Sequence, residues 1–120
     1  MNFTKIVPSI FYPDIKPGLK TFVDCLEFTI RHEELLSANP YCVLEKDGVT
    51  ILLFVNKEYA EKDHPEYRLV TKDIEAVYKK VSSEFPELLH PNLSKITPRP
   101  WGAKEFAMLD GQIGLVIQEW

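Results

Sequence analysis

The run Lys5 to Tyr12 (KIVPSIFY) is rich in β-branched and aromatic residues and stops at Pro13-Asp14, which predicts a strand followed by a turn. Past that turn, Ile15, Leu19, Phe22, Val23 and Leu26 recur at the spacing of a single apolar helix stripe. Pro17 fits the helix's first turn, where its missing N–H costs nothing. After a polar segment, Tyr41 to Glu45 and Thr50 to Asn56 read as strands joined by Lys46-Asp47-Gly48. Asp-Gly between apolar runs is a strong hairpin signal, because both residues tolerate the positive φ that tight hairpins need.

The same order then returns. Tyr67 to Thr71 reads as a strand and Lys72-Asp73 as a turn, and Ile74, Val77, Tyr78 and Val81 give a second helix stripe. Phe106 to Leu109, Asp110-Gly111 and Ile113 to Ile117 form another hairpin. The halves align through Asp14-Ile15 with Asp73-Ile74 and through Asp47-Gly48 with Asp110-Gly111, at offsets of 48 − 14 = 34 and 111 − 73 = 38 residues. A tandem duplication explains this agreement. The polar stretch Glu58 to Glu66 (EYAEKDHPE) is the expected linker, giving a single domain of two βαβββ modules, about 1–60 and 64–120.

Composition narrows the function. With 120 residues, 45% hydrophobic and 27% charged, the chain has enough material for one domain with a real core. Fourteen basic against eighteen acidic side chains leave a net charge of −4, which repels a phosphate backbone, so no nucleic-acid partner is expected. Lys79-Lys80, on a helix that also carries Asp73 and Glu75, reads as a solvated face. Cys25 and Cys42 are far from C-x-x-C spacing, and Met1 to Lys5 lacks a signal-peptide layout, so a cytoplasmic protein with reduced thiols is expected. The longest apolar run, Ile51 to Val55, is far short of the ~20 residues that span a bilayer, so no membrane association is expected.

Val7-Pro8-Ser9-Ile10-Phe11-Tyr12-Pro13-Asp14, with a helix ending near Cys25-Leu26-Glu27-Phe28, resembles the first strand and helix of the vicinal oxygen chelate superfamily. That superfamily includes glyoxalase I, extradiol dioxygenases and bleomycin resistance proteins. The run Pro100-Trp101-Gly102-Ala103-Lys104-Glu105-Phe106 and then Leu109-Asp110-Gly111 is similar to its common closing pattern. Two positions depart from the pattern: no glycine precedes Phe28, and Leu109 replaces a usual proline. The resemblance covers essentially the whole chain and implies an α+β fold, with tandem βαβββ modules forming a U-shaped mixed sheet around a cleft.

In the metal-dependent branch of that superfamily, His, Gln or Glu side chains hold a divalent ion. The corresponding positions here are Val7, Glu66, Leu52 and Leu115, counted from the turn Asp residues and the hairpin glycines. Three of these are aliphatic and have no lone pair to give, so neither metal nor cofactor is expected. His32 and His90 read as surface histidines. His64, in Asp63-His64-Pro65-Glu66, is a linker residue with carboxylate neighbours and lies near the expected mouth of the second module.

Strand alternation from the ligand positions aims Val7, Ser9, Phe11, Thr50, Leu52 and Phe54 at the cleft, with Glu66, Arg68, Val70, Ile113, Leu115 and Ile117 from the second module. Such a lining, mainly apolar with one acid and one base, is typical of small-molecule pockets. The ligand-binding set expected is Phe11, Phe54, Glu66, Arg68 and Trp101, with Arg68 gripping an anionic group or Glu66 a cationic one in an aromatic slot. Alternatively, Glu66 and Arg68 pair with each other and fill space, and Trp101, between Pro100 and Gly102, serves as a hinge or dimer contact. Trp120 is a second ring able to stack on a planar ligand. Cys25 and Cys42 read as buried fillers. Neither a glycine-rich phosphate loop nor a serine nucleophile elbow occurs, so no catalytic residue is assigned. The resemblance then implies a homodimeric, bleomycin resistance-like protein that sequesters a drug or metabolite without metal. The alternatives are a metal-dependent lyase, isomerase or dioxygenase, and an interaction protein whose cleft is filled by its own side chains.

Overall fold

In the computed structural model, which describes residues 1–120, the chain divides between Lys62 and Asp63 into two units. The fold is α+β, and each unit carries one four-stranded mixed sheet. In the first unit, β1 (Ser9–Tyr12) leads into α1 (Lys16–Leu19), which continues as a π-helical segment, Lys20–Cys25. Then come β2 (Thr29–Glu33), β3 (Tyr41–Lys46), β4 (Val49–Val55) and α2 (Lys57–Lys62). The second unit contains β5 (Glu66–Val70), α3 (Ile74–Glu84), a 3₁₀ turn (Pro86–Leu88), β6 (Thr97–Pro98), β7 (Lys104–Leu109) and β8 (Gly114–Glu119). The sheet orders are β1-β4-β3-β2 and β5-β8-β7-β6, with the first two strands of each order parallel and the others antiparallel.

Both Asp-Ile pairs act at helix starts. Asp14 Oδ1 accepts the Lys16 N–H at 3.0 Å, and Asp73 Oδ1 accepts the Ala76 N–H at 3.2 Å, each satisfying a first-turn donor that the helix cannot. The first helix differs from its expected stripe. Widening to π geometry, marked by the Leu26 N–H bonding to the Thr21 carbonyl, buries Gly18, Thr21, Phe22 and Cys25. Ile15, Leu19, Val23 and Leu26 are only half-buried.

β1 starts at Ser9, four residues later than the pattern predicts, because Lys5 and Ile6 are exposed and make no ladder. β2 and β6, the strands that a βαβββ module requires after each helix, were not located in the sequence, and α2 was not expected. All five residues of β2 are exposed on a sheet edge, so no alternation betrays it. α2 occupies most of the stretch expected to be linker and buries Ala60, and Glu66 at that stretch's end already belongs to β5.

Beneath α1 lie Ile10, Tyr12, Cys42, Leu44, Ile51 and Leu53, all buried. In the second unit α3 brings Ile74 and Val81 to the face of Phe106, Met108, Leu115 and Ile117, and the Tyr78 ring meets Phe106 edge-on at 5.0 Å. The hairpins differ. Asp47 (φ 51°) and Gly48 (φ 81°) alone join the paired ends Lys46 and Val49, whereas residues 110–113 lie between Leu109 and Gly114. No helix is long and apolar enough to cross a membrane.

Candidate functional site

On the face of the first sheet opposite α1, the registers bring Phe11, Phe54 and Tyr41 into one row and Ser9, Leu52 and Val43 into another. All six are half-buried, although their neighbours on the helix face are fully buried. Phe11 and Phe54 stack at 5.6 Å, Tyr41 stacks on Phe54 at 5.9 Å, and Tyr59 of α2 meets Phe11 edge-on at 5.1 Å. His32 Nε2 lies 3.3 Å from the Tyr41 hydroxyl and so extends the row to the sheet edge. Lys5 Nζ donates to Thr50 Oγ1 at 3.1 Å. The result is an aromatic shelf with polar groups at its ends.

In the second sheet, Glu66 is in register with Gly114, Arg68 with Val116 and Val70 with Gln118. Leu115 and Ile117 therefore point the other way, onto the Phe106 face beneath α3, and Ile113 is buried in the turn before β8. The expectation that these three share a face with Arg68 is corrected. Counting from Gly48 to Leu52 does not transfer to Gly111, because the wider second turn shifts the strand by a residue, and one residue reverses every side chain.

The face that carries Arg68 holds a charge cluster of which the sequence reading captured only part. Glu105 of β7, with its side chain 3% exposed, accepts Arg68 Nη1 at 2.7 Å and Gln118 Nε2 at 2.5 Å on Oε2, and Arg99 Nε at 2.8 Å on Oε1. Burial pushes the Glu105 carboxyl up, but the hydrogen bonds from Arg99, Gln118 and Arg68 and the charge of Arg68 outweigh it and hold the group below the usual carboxylate range. Arg68 does pair with Glu66, but at 3.4 Å and with Glu66 59% exposed, a weaker contact than the one to Glu105. The Arg99 guanidinium lies 5.8 Å from the Trp101 ring centre, so Trp101 adjoins the cluster through a cation–π contact while staying exposed. Arg99, Glu105 and Gln118 were missed. The available signal was an acid in the apolar run of β7, since a charge placed there needs partners.

Of the five expected ligand-binding residues, Phe11 and Phe54 are together in the first unit, and Glu66, Arg68 and Trp101 belong to the charge cluster of the second. His64 Nδ1 lies 3.0 Å from the Gln112 carbonyl oxygen, and Gln112 Nε2 donates to the Asp63 carbonyl, so His64 fastens the start of β5 to the last turn. His32 is exposed, and His90 Nδ1 accepts the Asn92 N–H. Cys25 and Cys42 are buried free thiols; burial and then the nearby Glu33 charge raise Cys42 to about 11. Trp120 is exposed.

The donor set does not suit a divalent metal. Val7, Leu52 and, on β8, Gly114 and Val116 offer no ligand atoms, and both Glu105 oxygens are already occupied by guanidinium or amide N–H groups. Glu66 stands beside the Arg68 cation, which would repel an incoming ion.

No protein-family profile and no curated protein sequence matches this chain. Solved structures do. A bleomycin-binding protein complexed with bleomycin superposes at a TM-score of 0.74 with 15% identity, over 98% of this chain and 99% of that one. A superfamily member from Sphaerobacter thermophilus gives 0.73 at 19% identity over 98% of both chains. The fold is that of the glyoxalase/bleomycin resistance protein/dioxygenase superfamily. A glyoxalase-related enzyme from Clostridium phytofermentans shares the same vicinal oxygen chelate fold, at 0.71 and 18% identity over 99% of this chain and 96% of that one. A binding protein and an enzyme-related protein thus have this fold in common, so the fold alone gives no role.

Proposed function

We propose that this chain binds a small planar molecule on the aromatic shelf of Phe11, Phe54 and Tyr41 and holds it without metal and without catalysis. The supporting observation is the shelf itself: three stacked rings left half-buried on the face of the first sheet opposite α1, with Tyr59 of α2 edge-on at one end. Such rings offer area for stacking and faces that attract cations, at little conformational cost. A bleomycin-binding protein of the same fold is in keeping with sequestration of a drug or metabolite. The aliphatic residues at the ligand positions and the occupied Glu105 oxygens favour a metal-free site. A cytoplasmic homodimer completes the reading.

Thermal-shift screening of small aromatic and cationic compounds tests it, with Phe54→Ala as the control and elemental analysis of chelator-free protein alongside. A ligand that stabilises the native chain and loses its effect on Phe54→Ala is expected. Near-stoichiometric metal, or compounds that act equally on Phe54→Ala, would refute the reading.

A further inference from the structure

The charge cluster of the second unit pairs its two cations and two acids unequally. Two guanidiniums, Arg68 and Arg99, converge on one buried carboxylate, and the only other acid in contact, Glu66, touches Arg68 alone. Both Glu105 oxygens are engaged: one receives Arg99 Nε, and the other receives Arg68 Nη1 and Gln118 Nε2. Arg99 spends only Nε on it, which leaves both of its Nη groups off this carboxylate. The side chains of Arg68 and Arg99 are 47% and 31% exposed, so both cations reach the surface above a carboxylate that is itself out of solvent. The cluster is neutral in charge, yet the two guanidiniums carry more N–H groups than Glu66 and Glu105 take up.

We propose that Arg68 and Arg99 form a site for the carboxylate of a small aromatic acid, with Glu66 as a weak internal stand-in that the ligand displaces. Guanidinium forks match planar oxyanions, and Glu105 with Gln118 fixes both forks in advance, which lowers the entropic cost of binding. The Trp101 ring, exposed and 5.8 Å from the Arg99 guanidinium, offers a stacking surface beside the anion position. This inference rests on the small-molecule-binding reading but uses different residues, so the two can fail separately.

The chain has two tryptophans, so the indole N–H signal of Trp101 can be followed by NMR with that of Trp120 as the internal control. Benzoate, its neutral isostere benzamide and inorganic phosphate are the probes. Benzoate is expected to move the Trp101 signal and to bind at least about tenfold more tightly than benzamide, with affinity falling as salt rises. Glu66→Gln, an exposed change that spares the fold, is expected to tighten benzoate by about two- to five-fold, the equivalent of one exposed ion pair. Arg99→Gln is expected to abolish the preference for benzoate over benzamide. Equal binding of the two, no response to benzoate, or weaker binding by Glu66→Gln would overturn the proposal. Phosphate binding more tightly than benzoate would overturn the carboxylate assignment. A benzoate response that survives Phe54→Ala would separate this site from the aromatic shelf.

Discussion

Gly18 of α1 is pressed against Tyr12 of β1: a Cβ at position 18 would lie 2.7 Å from Tyr12 Cε2, 2.9 Å from its Cζ and 3.0 Å from Leu53 Cδ1. Glycine is thus required for close approach, not for its φ. Gly18→Ala is expected to lower stability by roughly 1–3 kcal/mol through overpacking. Gly48→Ala, with open space but φ +81°, is expected to lose about 1–2 kcal/mol through backbone strain alone. Urea unfolding of both measures the difference, and Tyr12→Leu should rescue only Gly18→Ala.

Glu105→Gln keeps the size of the side chain but leaves Arg68 and Arg99 without their shared anion. Both arginines are partly exposed, so the expected loss is about 1–3 kcal/mol, less than for a fully buried pair. Glu66→Gln should stay within about 0.5 kcal/mol of the parent, since Glu66 is exposed and its contact is long. Equal losses for the two substitutions would show that Glu105 is not the anchor.

Acid titration provides an independent check. The folded Glu105 carboxyl titrates below its unfolded value, so its contribution to stability is fully present above the unfolded pKa and is lost as pH falls through the folded one. Stability should therefore decline from about pH 4 downward. The decline should be shallower in Glu105→Gln. Glu119 adds in the same direction, because the Ile74 backbone N–H holds its carboxyl low.

The thiols make a kinetic prediction. Cys25 and Cys42 are buried out of reach of a reagent, and Cys42, raised to about 11, also stays a thiol at neutral pH. A thiol-specific dye should label neither residue in the folded protein within minutes and both on addition of denaturant. Fast labelling of the native chain would contradict their placement.

Periodicity reported the long helix α3, both hairpins and the internal repeat because each is written in side chains that alternate between core and solvent. Where no such contrast exists the reading failed: β2 is exposed throughout, β6 is two residues long, and α2 sits in a polar stretch with one buried alanine. The site divided in the same way. Phe11 and Phe54 follow from alternation in a regular strand pair, but Leu115 and Ile117 were aimed at the wrong face because the width of the second turn is not encoded in Asp-Gly itself. Glu105 and Arg99 were missed because they are six residues apart across a turn and Arg68 reaches Glu105 from another strand, a meeting that only the sheet order creates.

The parallel pairings set how each unit must fold. Ser9 finds Leu52 across 52 − 9 = 43 residues and Arg68 finds Val116 across 116 − 68 = 48, so neither sheet closes until its last long strand exists. Contacts that distant are slow to form, because the chain entropy of closing the loop is lost before the pairing repays it. The β3–β4 and β7–β8 hairpins, with short loops, are the natural nuclei, and β1 and β5 dock last on strands already in place. Substitutions in β1 should therefore speed unfolding far more than they slow folding, whereas changes at the Asp47-Gly48 turn should slow folding itself.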